Sequence, residues 1–166
     1  MEINIGIERS GKNTYPVKSI EYIRGILHTY AQLNQPAANL VFEYEIVALN
    51  RSGSMQDDLK EQFFIFEHQQ IELSKISKDS FAELLKKWFY NHGDIRNMDI
   101  GERKKENGTR YFITLLEDIL KTEQIFRVEN LKEEHEQVYL ELGISYDYFL
   151  LNCPEQTYIL YFTYRD

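Results

Sequence analysis

Two carboxylates stand two positions apart in a run of alternating apolar and polar residues from Leu40 to Ala48. Successive side chains of a β-strand point to opposite faces, so Glu43 and Glu45 would share one face at a separation of roughly 7 Å. Paired carboxylates at about that separation can perform acid–base chemistry on a glycosidic bond. The outer face of a half-exposed strand explains both residues without catalysis, and we favour that interpretation.

The stretch from Gly6 to Lys12 has some of the residues that a phosphate-binding loop needs, and it lies between a predicted strand and a predicted helix. Such a loop requires a Ser or Thr directly after the lysine to bind magnesium, whereas this chain has Asn13 there. Pro16 also disfavours helical geometry at the residue before it. The sequence therefore predicts an ordinary turn here, and no nucleotide cofactor.

The histidines and the cysteine are too widely spaced to suggest a site. None of His28, His68, His92 and His135 has a second histidine at the short spacing that preorganises zinc. Cys153 has neither a neighbouring histidine nor a predicted helix N-terminus to lower its pKa, so we expect an unreactive thiol. The sequence thus predicts no catalytic residue, no metal and no cofactor. A single cysteine fits a reducing compartment.

Charge is distributed unevenly along the chain, which has 27 acidic and 19 basic residues and a net charge of −8. Between Leu115 and Leu142 only three bases, Lys121, Arg127 and Lys132, accompany eight acids, which are Glu117, Asp118, Glu123, Glu129, Glu133, Glu134, Glu136 and Glu141. A dense acidic surface steers a basic partner towards it and speeds association. A solvated helix face explains the same run of charge without any partner.

We interpret the acidic stretch as the contact surface of a non-enzymatic protein-binding domain. The sharper hypothesis is an intracellular inhibitor, such as an immunity protein that neutralises a basic, nuclease-type toxin by direct binding. Such toxins carry cationic surfaces because they must hold nucleic acid. The partner-binding residues that this hypothesis predicts are Asp118, Glu133, Glu134, Glu136 and Tyr139.

The alternative is a small enzyme or ligand-binding domain with a pocket on the open face of a sheet. Its polar lining would be Glu43, Glu45 and Tyr or His residues from neighbouring strands. A deep pocket that contains these groups would favour this alternative over the binding domain.

Composition and sequence pattern argue against several other partners and locations. The net charge of −8 argues against binding nucleic acid or an anionic membrane surface. No apolar run approaches the roughly 20 residues that span a bilayer, and Met1 to Gly6 lacks the basic and apolar regions of an export signal. We therefore expect a cytoplasmic protein.

The first half of the chain contains the elements that would position the carboxylate pair. Isoleucines alternate with polar residues in a short predicted strand, Ile3 to Ile7, and an apolar stripe predicts a helix from Val17 to Leu33. Gly25 inside this helix costs about 1 kcal/mol relative to Ala, which either slightly weakens the helix prediction or indicates close packing there. A β-hairpin is predicted from Leu40 to Leu73, with a flexible loop at Asn50 to Leu59.

The second half alternates between polar stretches and strongly apolar ones. Ser80 to Glu83 has the pattern of a capping box at the start of a helix, and Asp94 to Arg110, which carries the chain's only basic excess, is predicted to be an exposed connection. Further helices are predicted at Tyr111 to Thr122 and Leu131 to Leu142, and a second hairpin at Ile144 to Tyr164.

These elements predict one α+β domain that spans residues 1–166. Strands arrive in adjacent pairs rather than each being followed by a crossover helix, so the sheet should be mainly antiparallel. We expect about five strands, formed by the two hairpins and the N-terminal strand, with three to four helices packed largely on one face.

Overall fold

The computed structural model describes residues 19–35, 39–132 and 142–165, and these form an α+β fold. The predicted N-terminal strand and the segment 133–141 lie outside the described residues. The helices and strands are α1 (Ile20–Asn34), β1 (Val41–Ala48), α2 (Met55–Gln62), β2 (Glu72–Lys75), α3 (Lys78–Tyr90), α4 (Glu102–Leu115), β3 (Gln124–Glu129), β4 (Ser145–Asn152) and β5 (Thr157–Arg165). A 3₁₀ turn, Asp94–Asn97, precedes α4, and a π-helical turn, Leu116–Leu120, follows it.

The five strands form one antiparallel sheet in the order β1-β5-β4-β3-β2. The predicted C-terminal hairpin is confirmed, because β4 pairs with β5 from Ser145 opposite Tyr164 to Asn152 opposite Thr157. Strand β1 pairs with β5 on the other side, with Glu45 opposite Tyr161. The strands nearest the two chain ends therefore lie side by side, and β1 and β2 form the two edges.

The predicted hairpin from Leu40 to Leu73 is wrong. Its two strands lie at opposite edges of the sheet, and the predicted loop between them contains the start of α2. The reason is local: the Ser54 side chain accepts a hydrogen bond from the Asp57 N–H at 3.2 Å, and the Asp57 carboxylate accepts one from the Ser54 N–H at 3.2 Å. This capping box starts a helix inside the segment that the sequence predicts to be a loop. Phe64 then turns the chain with a φ of 52°.

The other helices were predicted with shifted boundaries. Helix α3 begins one turn earlier than the Ser80 pattern indicated, because the Ser77 hydroxyl accepts a hydrogen bond from the Ser80 N–H at 3.1 Å. The exposed connection predicted for Asp94 to Arg110 is also wrong, since it holds the 3₁₀ turn and the first half of α4. The buried stripe of α4 begins with Thr109, so its apolar periodicity appears only in the second half of the helix.

Helices α1, α3 and α4 cover one face of the sheet, which we call the covered face. Its core contains Trp88 of α3 together with Tyr44, Phe149 and Phe162 from three strands, all almost fully buried. Gly93 lies at a close backbone contact with the end of α1. Its φ is 53°, and a Cβ atom there would lie 1.6 Å from the carbonyl oxygen of Asn34. Only glycine fits at this contact between the end of α1 and the turn after α3.

The opposite face, which we call the open face, has a smaller core. Leu59 of α2, Leu150 and Ile159 are buried there, and Leu131 and Leu142 are buried in the same cluster. Among the described residues, no helix is long and apolar enough to cross a membrane.

Candidate protein-binding surface

Buried leucines lie on both sides of the acidic segment 133–141. Leu131 and Leu142 are 4% exposed and pack in the core of the open face. The backbone before the segment is also held, because the Leu131 carbonyl accepts a hydrogen bond from the Tyr146 hydroxyl at 3.2 Å and the Lys132 carbonyl accepts one from Gln69 Nε2 at 3.1 Å. Lys132 and Leu142 therefore lie near the end of the sheet where β3 finishes and β4 begins.

Four of the predicted partner-binding residues belong to that segment and lie outside the described residues: Glu133, Glu134, Glu136 and Tyr139. The fifth, Asp118, is exposed in the π-helical turn before β3. Strand β3 separates it from the acidic segment, and six residues of strand span about 16 Å. The acidic stretch of the sequence is thus divided between the two ends of β3.

Two further acidic residues, which are far apart in the sequence, lie opposite each other in the sheet. Glu72 at the start of β2 lies directly opposite Glu129 at the end of β3. Like charges in directly opposed positions of a sheet destabilise the pair. In the described part of the chain, no Lys or Arg comes within ion-pair distance of either carboxylate. We call Glu72 and Glu129 the edge carboxylates.

The nearest cation on β3 is already bound elsewhere. Arg127 donates from Nε at 3.0 Å and from Nη2 at 2.6 Å to one oxygen of Asp147, a residue that is 7% exposed. The other Asp147 oxygen accepts a hydrogen bond from Trp88 Nε1 at 2.8 Å. Both oxygens of this buried carboxylate are therefore satisfied, and the guanidinium of Arg127 forms its ion pair with Asp147.

The carboxylate pair of the alternative hypothesis is engaged in two separate sets of contacts. Glu43 accepts a hydrogen bond from the Tyr161 hydroxyl at 3.0 Å and lies 3.4 Å from Arg165. The Tyr161 ring stacks on Tyr148 with centroids 5.2 Å apart, and Phe63 meets both rings edge-on. Burial, and then the charge of Glu43, raise the pKa of Tyr161. This tyrosine is therefore a neutral hydrogen-bond donor to Glu43.

Glu45 turns instead to helix α1, at the edge that β1 forms among the described strands. It lies 3.2 Å from Arg24 and 3.1 Å from His28, and it accepts a hydrogen bond from the Ile46 N–H at 2.9 Å. Arg24 also donates to the Ile46 carbonyl at 3.1 Å. Both outward backbone groups of Ile46 are thus occupied, which protects an edge strand from pairing with another chain. The alternative predicted Tyr or His residues from neighbouring strands; Tyr161 of β5 lies beside Glu43, whereas His28 beside Glu45 belongs to helix α1.

His92 and Cys153 lie in packed surroundings, whereas His28 and His68 are exposed. Trp88 packs against His92 with ring centroids 4.5 Å apart, and burial lowers the pKa of this histidine. Burial raises the pKa of the Cys153 thiol, whose Sγ lies 3.7 Å from the Thr122 hydroxyl. In the ranges that the structure describes, no group of three or more His, Cys, Asp and Glu residues could hold a metal ion.

Sequence reasoning missed the edge carboxylates because they are far apart in the chain. Their apposition depends on the register of β2 against β3, and Ile125 to Val128 has no alternation that would have identified β3 as a strand. The available signal was weak: Glu129 ends the short stretch from Ile125 to Val128, and Glu72 lies between Ile71 and Leu73.

No protein-family model and no curated protein matches this chain. Among solved structures, it is similar to a crystal structure of citrus MAF1, with a TM-score of 0.48 and 13% sequence identity over 84% of this chain and 98% of that chain. At this level of similarity we draw no conclusion about function from the match.

Proposed function

We propose that this protein is a non-enzymatic binding domain for a basic protein. The observation that carries the proposal is the pair of edge carboxylates, which oppose each other with no Lys or Arg of the described residues within ion-pair distance. Two directly opposed like charges lower stability by a few tenths to about 1 kcal/mol. A basic partner that inserted Lys or Arg side chains here would convert this unfavourable contact into two favourable ones.

The sequence that follows β3 is also acidic. Glu133, Glu134 and Glu136 follow Glu129 within seven positions, and the anchored Leu131 and Lys132 hold the start of this segment at the end of β3. Carboxylates close together in the sequence make the local electrostatic potential more negative, which increases the association rate with a cationic partner.

The sharper form of the proposal is an inhibitor of a nuclease-type toxin, acting as an immunity protein in the cytoplasm. A toxin domain that binds nucleic acid has a cationic surface, and an acidic domain with net charge −8 can compete for it. The single, buried Cys153 is compatible with a reducing compartment.

The test is capture of proteins from the native host by the full-length chain, at 50 mM and at 500 mM salt. We expect basic proteins, including a nuclease whose activity the chain inhibits, to bind at low salt. They should be released at high salt, because screening decreases the range of electrostatic attraction. The informative variant is the double substitution Glu72→Gln and Glu129→Gln. It should weaken this binding about tenfold while leaving the domain as stable as the original or slightly more stable.

The matched control is Asp99→Gln with Glu106→Gln, which changes the net charge equally at two exposed acids near the start of α4. This control should bind as the original chain does. If the edge variant and the control bound equally well, or if the captured proteins were predominantly acidic, the proposal would be wrong.

A further inference from the structure

A partly enclosed pocket lies on the covered face, between the β2–β3 pair of strands and helices α3 and α4. Its volume is about 180 Å³. The end of β2, the start of α3, the end of α4 with its π-helical turn and the start of β3 surround it. Most spaces inside a protein are too small to hold more than a water molecule. A pocket of this size therefore calls for an account of what it could bind.

The inner wall of the pocket is apolar and closely packed. Phe81, Leu116 and Ile125 line it and are 0%, 1% and 7% exposed. The Phe81 ring meets Phe149 edge-on with centroids 5.1 Å apart, so its position is fixed from behind. The Ile125 carbonyl already accepts a hydrogen bond from the Ile76 N–H at 3.0 Å. An apolar wall without free backbone groups favours an apolar ligand over water, which needs two to four polar partners.

The π-helical turn forms one side of the pocket. Helix α4 is regular up to Leu115, and the turn Leu116–Leu120 then ends at Lys121, whose φ is 59°. The first two residues of this turn, Leu116 and Glu117, both line the pocket. The Thr122 hydroxyl donates a hydrogen bond to the Leu116 carbonyl at 3.3 Å and so holds the turn in place. Single π-helical turns are rare and frequently lie at functional sites.

Charged side chains at the mouth of the pocket balance one another. The lining contains two lysines, Lys75 and Lys78, and two glutamates, Glu117 and Glu123, all of which are at least partly exposed. Lys78 forms an ion pair with Glu117, which connects the start of α3 to the π-helical turn. The lining thus has no net charge that would attract an ion. Transfer of a charged group from water to the apolar wall is also unfavourable, so the pocket favours an uncharged ligand.

We propose that this pocket binds an uncharged molecule with a single aromatic ring. In another protein, a cavity of about 150 Å³ lined by Leu, Ile and Phe side chains binds benzene, and this pocket has a similar volume and a similar inner wall. Phe81 provides an aromatic face for the ring of the ligand. The site lies at the Lys75 end of the β2–β3 pair, whereas the edge carboxylates lie at the other end. It is therefore separate from the proposed surface for a basic protein and does not depend on it.

The experiment is an NMR titration of the intact chain with three probes that share one ring. Toluene is the neutral probe, and benzoate and benzylammonium are the charged ones. We expect toluene to shift the methyl resonances of Ile113, Leu116 and Ile125 in a saturable manner, with a dissociation constant of about 1 mM. The methyl groups of Leu150 and Ile159, in the core of the open face, should not shift. Both charged probes should bind at least about tenfold more weakly than toluene.

A substitution that fills the pocket tests the location of the site. Ile113→Phe adds an aromatic ring at a half-buried position of the pocket lining, and it should weaken toluene binding at least about tenfold. Thr114→Phe is the matched control, since it adds the same side chain at the next, exposed position of α4 outside the pocket. The control should bind toluene as the original chain does. Both variants must show cooperative thermal unfolding before they are compared.

Three results would overturn the proposal. The first is the absence of a saturable toluene shift at the pocket methyl groups of the original chain. The second is binding of benzoate or benzylammonium as tight as that of toluene. The third is unchanged toluene binding in a folded Ile113→Phe chain. The first two results concern the unsubstituted protein, so the test stands even if Ile113→Phe does not fold.

Discussion

The covered and open faces of the sheet use the same strands but treat their aromatic residues differently. In β5, Phe162 points to the covered face and is 0% exposed, whereas its neighbour Tyr161 points to the open face and remains half-buried. On the covered face, polar groups of aromatic residues are bonded inside the core, as when the Tyr44 hydroxyl donates to the Trp88 carbonyl at 2.8 Å. On the open face, the Tyr161 hydroxyl donates to Glu43, near solvent.

This difference indicates that the covered face holds most of the buried aromatic core, whereas the open face leaves tyrosine hydroxyls and carboxylates near solvent. The covered face buries rings of Tyr44, Trp88, Phe89 and Phe162 against one another, with centroids 5.0–6.1 Å apart. Such aromatic contacts contribute both burial and favourable ring geometry. The open face keeps its charged residues in contacts that water reaches, so they can change without loss of the core.

The largest expected effect comes from truncating neighbouring residues of β5. Phe162→Ala should lower the free energy of unfolding by about 3–5 kcal/mol, because it leaves a cavity among fully buried rings. Tyr161→Ala should cost about 1–2 kcal/mol, because its ring is only partly buried. Urea denaturation followed by tryptophan fluorescence measures both values, since Trp88 packs against Phe162.

A loss of 3–5 kcal/mol is a large part of the stability of an ordinary domain, so Phe162→Ala could fail to fold. Phe162→Leu then serves as the milder variant at the same position, with Tyr161→Leu as its partner. Equal losses for the two positions in the Leu pair would contradict the distinction between the faces.

A carboxylate on each face provides the second comparison. Asp147→Asn removes a charge that is 7% exposed and leaves Arg127 without its counter-ion. Loss of one member of a fully buried ion pair costs 3–5 kcal/mol, but the Arg127 side chain is 40% exposed, so we expect about 2 kcal/mol. Glu43→Gln on the open face should cost less than about 1 kcal/mol.

The two amide variants are compared by their urea midpoints at pH 7. Both amides retain an oxygen that can accept the existing hydrogen bond from Trp88 or Tyr161. In Asp147→Asn the amide NH2 must also face a donor, either Trp88 or Arg127, so its loss of stability reports the charge together with the hydrogen bonds to one of these residues. A larger loss for Glu43→Gln than for Asp147→Asn would show that the open face contributes more to stability than its exposure indicates.

The fold class was predictable because several signals were local. The stripe from Ile20 to Leu33 and the aromatic residues around Trp88 identify two helices, and alternation on both sides of Cys153 identifies the C-terminal hairpin. The pairing of β1 was not predictable in this way. It depends on a contact with β5 at the far end of the chain, and an alternating strand specifies its buried face but not its neighbour.

The candidate surface was predictable only in part. The concentration of acids after Leu115 is visible in the sequence, but strand β3 places Asp118 at one end and Glu129 at the other. The apposition of Glu72 with Glu129 results from strand register, which local spacing does not contain. Of the two interpretations of Gly25, close packing is not supported, because no described atom lies within 4 Å of the position that its Cβ would occupy.

The smallest effect that we predict concerns acid sensitivity of the covered face. His92 packs on Trp88 and near Tyr164, with centroids 4.5 and 5.6 Å apart, and its Nε2 is buried without a hydrogen-bond partner. Burial lowers its pKa, and the charges of Lys87 and Arg96 act in the same direction while Asp147 opposes them. The folded state therefore keeps the imidazole neutral at pH values where the unfolded chain has bound a proton.

Because the pKa is lower in the folded state than in the unfolded state, the unfolded chain binds more protons as the pH falls, and the stability linked to His92 decreases below about pH 6.5. The variant His92→Phe keeps an aromatic ring at this position but cannot titrate. Its free energy of unfolding should fall less between pH 7 and pH 5.5 than that of the original chain. NMR titration of the histidine ring should show the pKa of His92 below the ordinary value. If the two chains lost stability equally over this range, the imidazole would not be responsible for the acid sensitivity of the covered face.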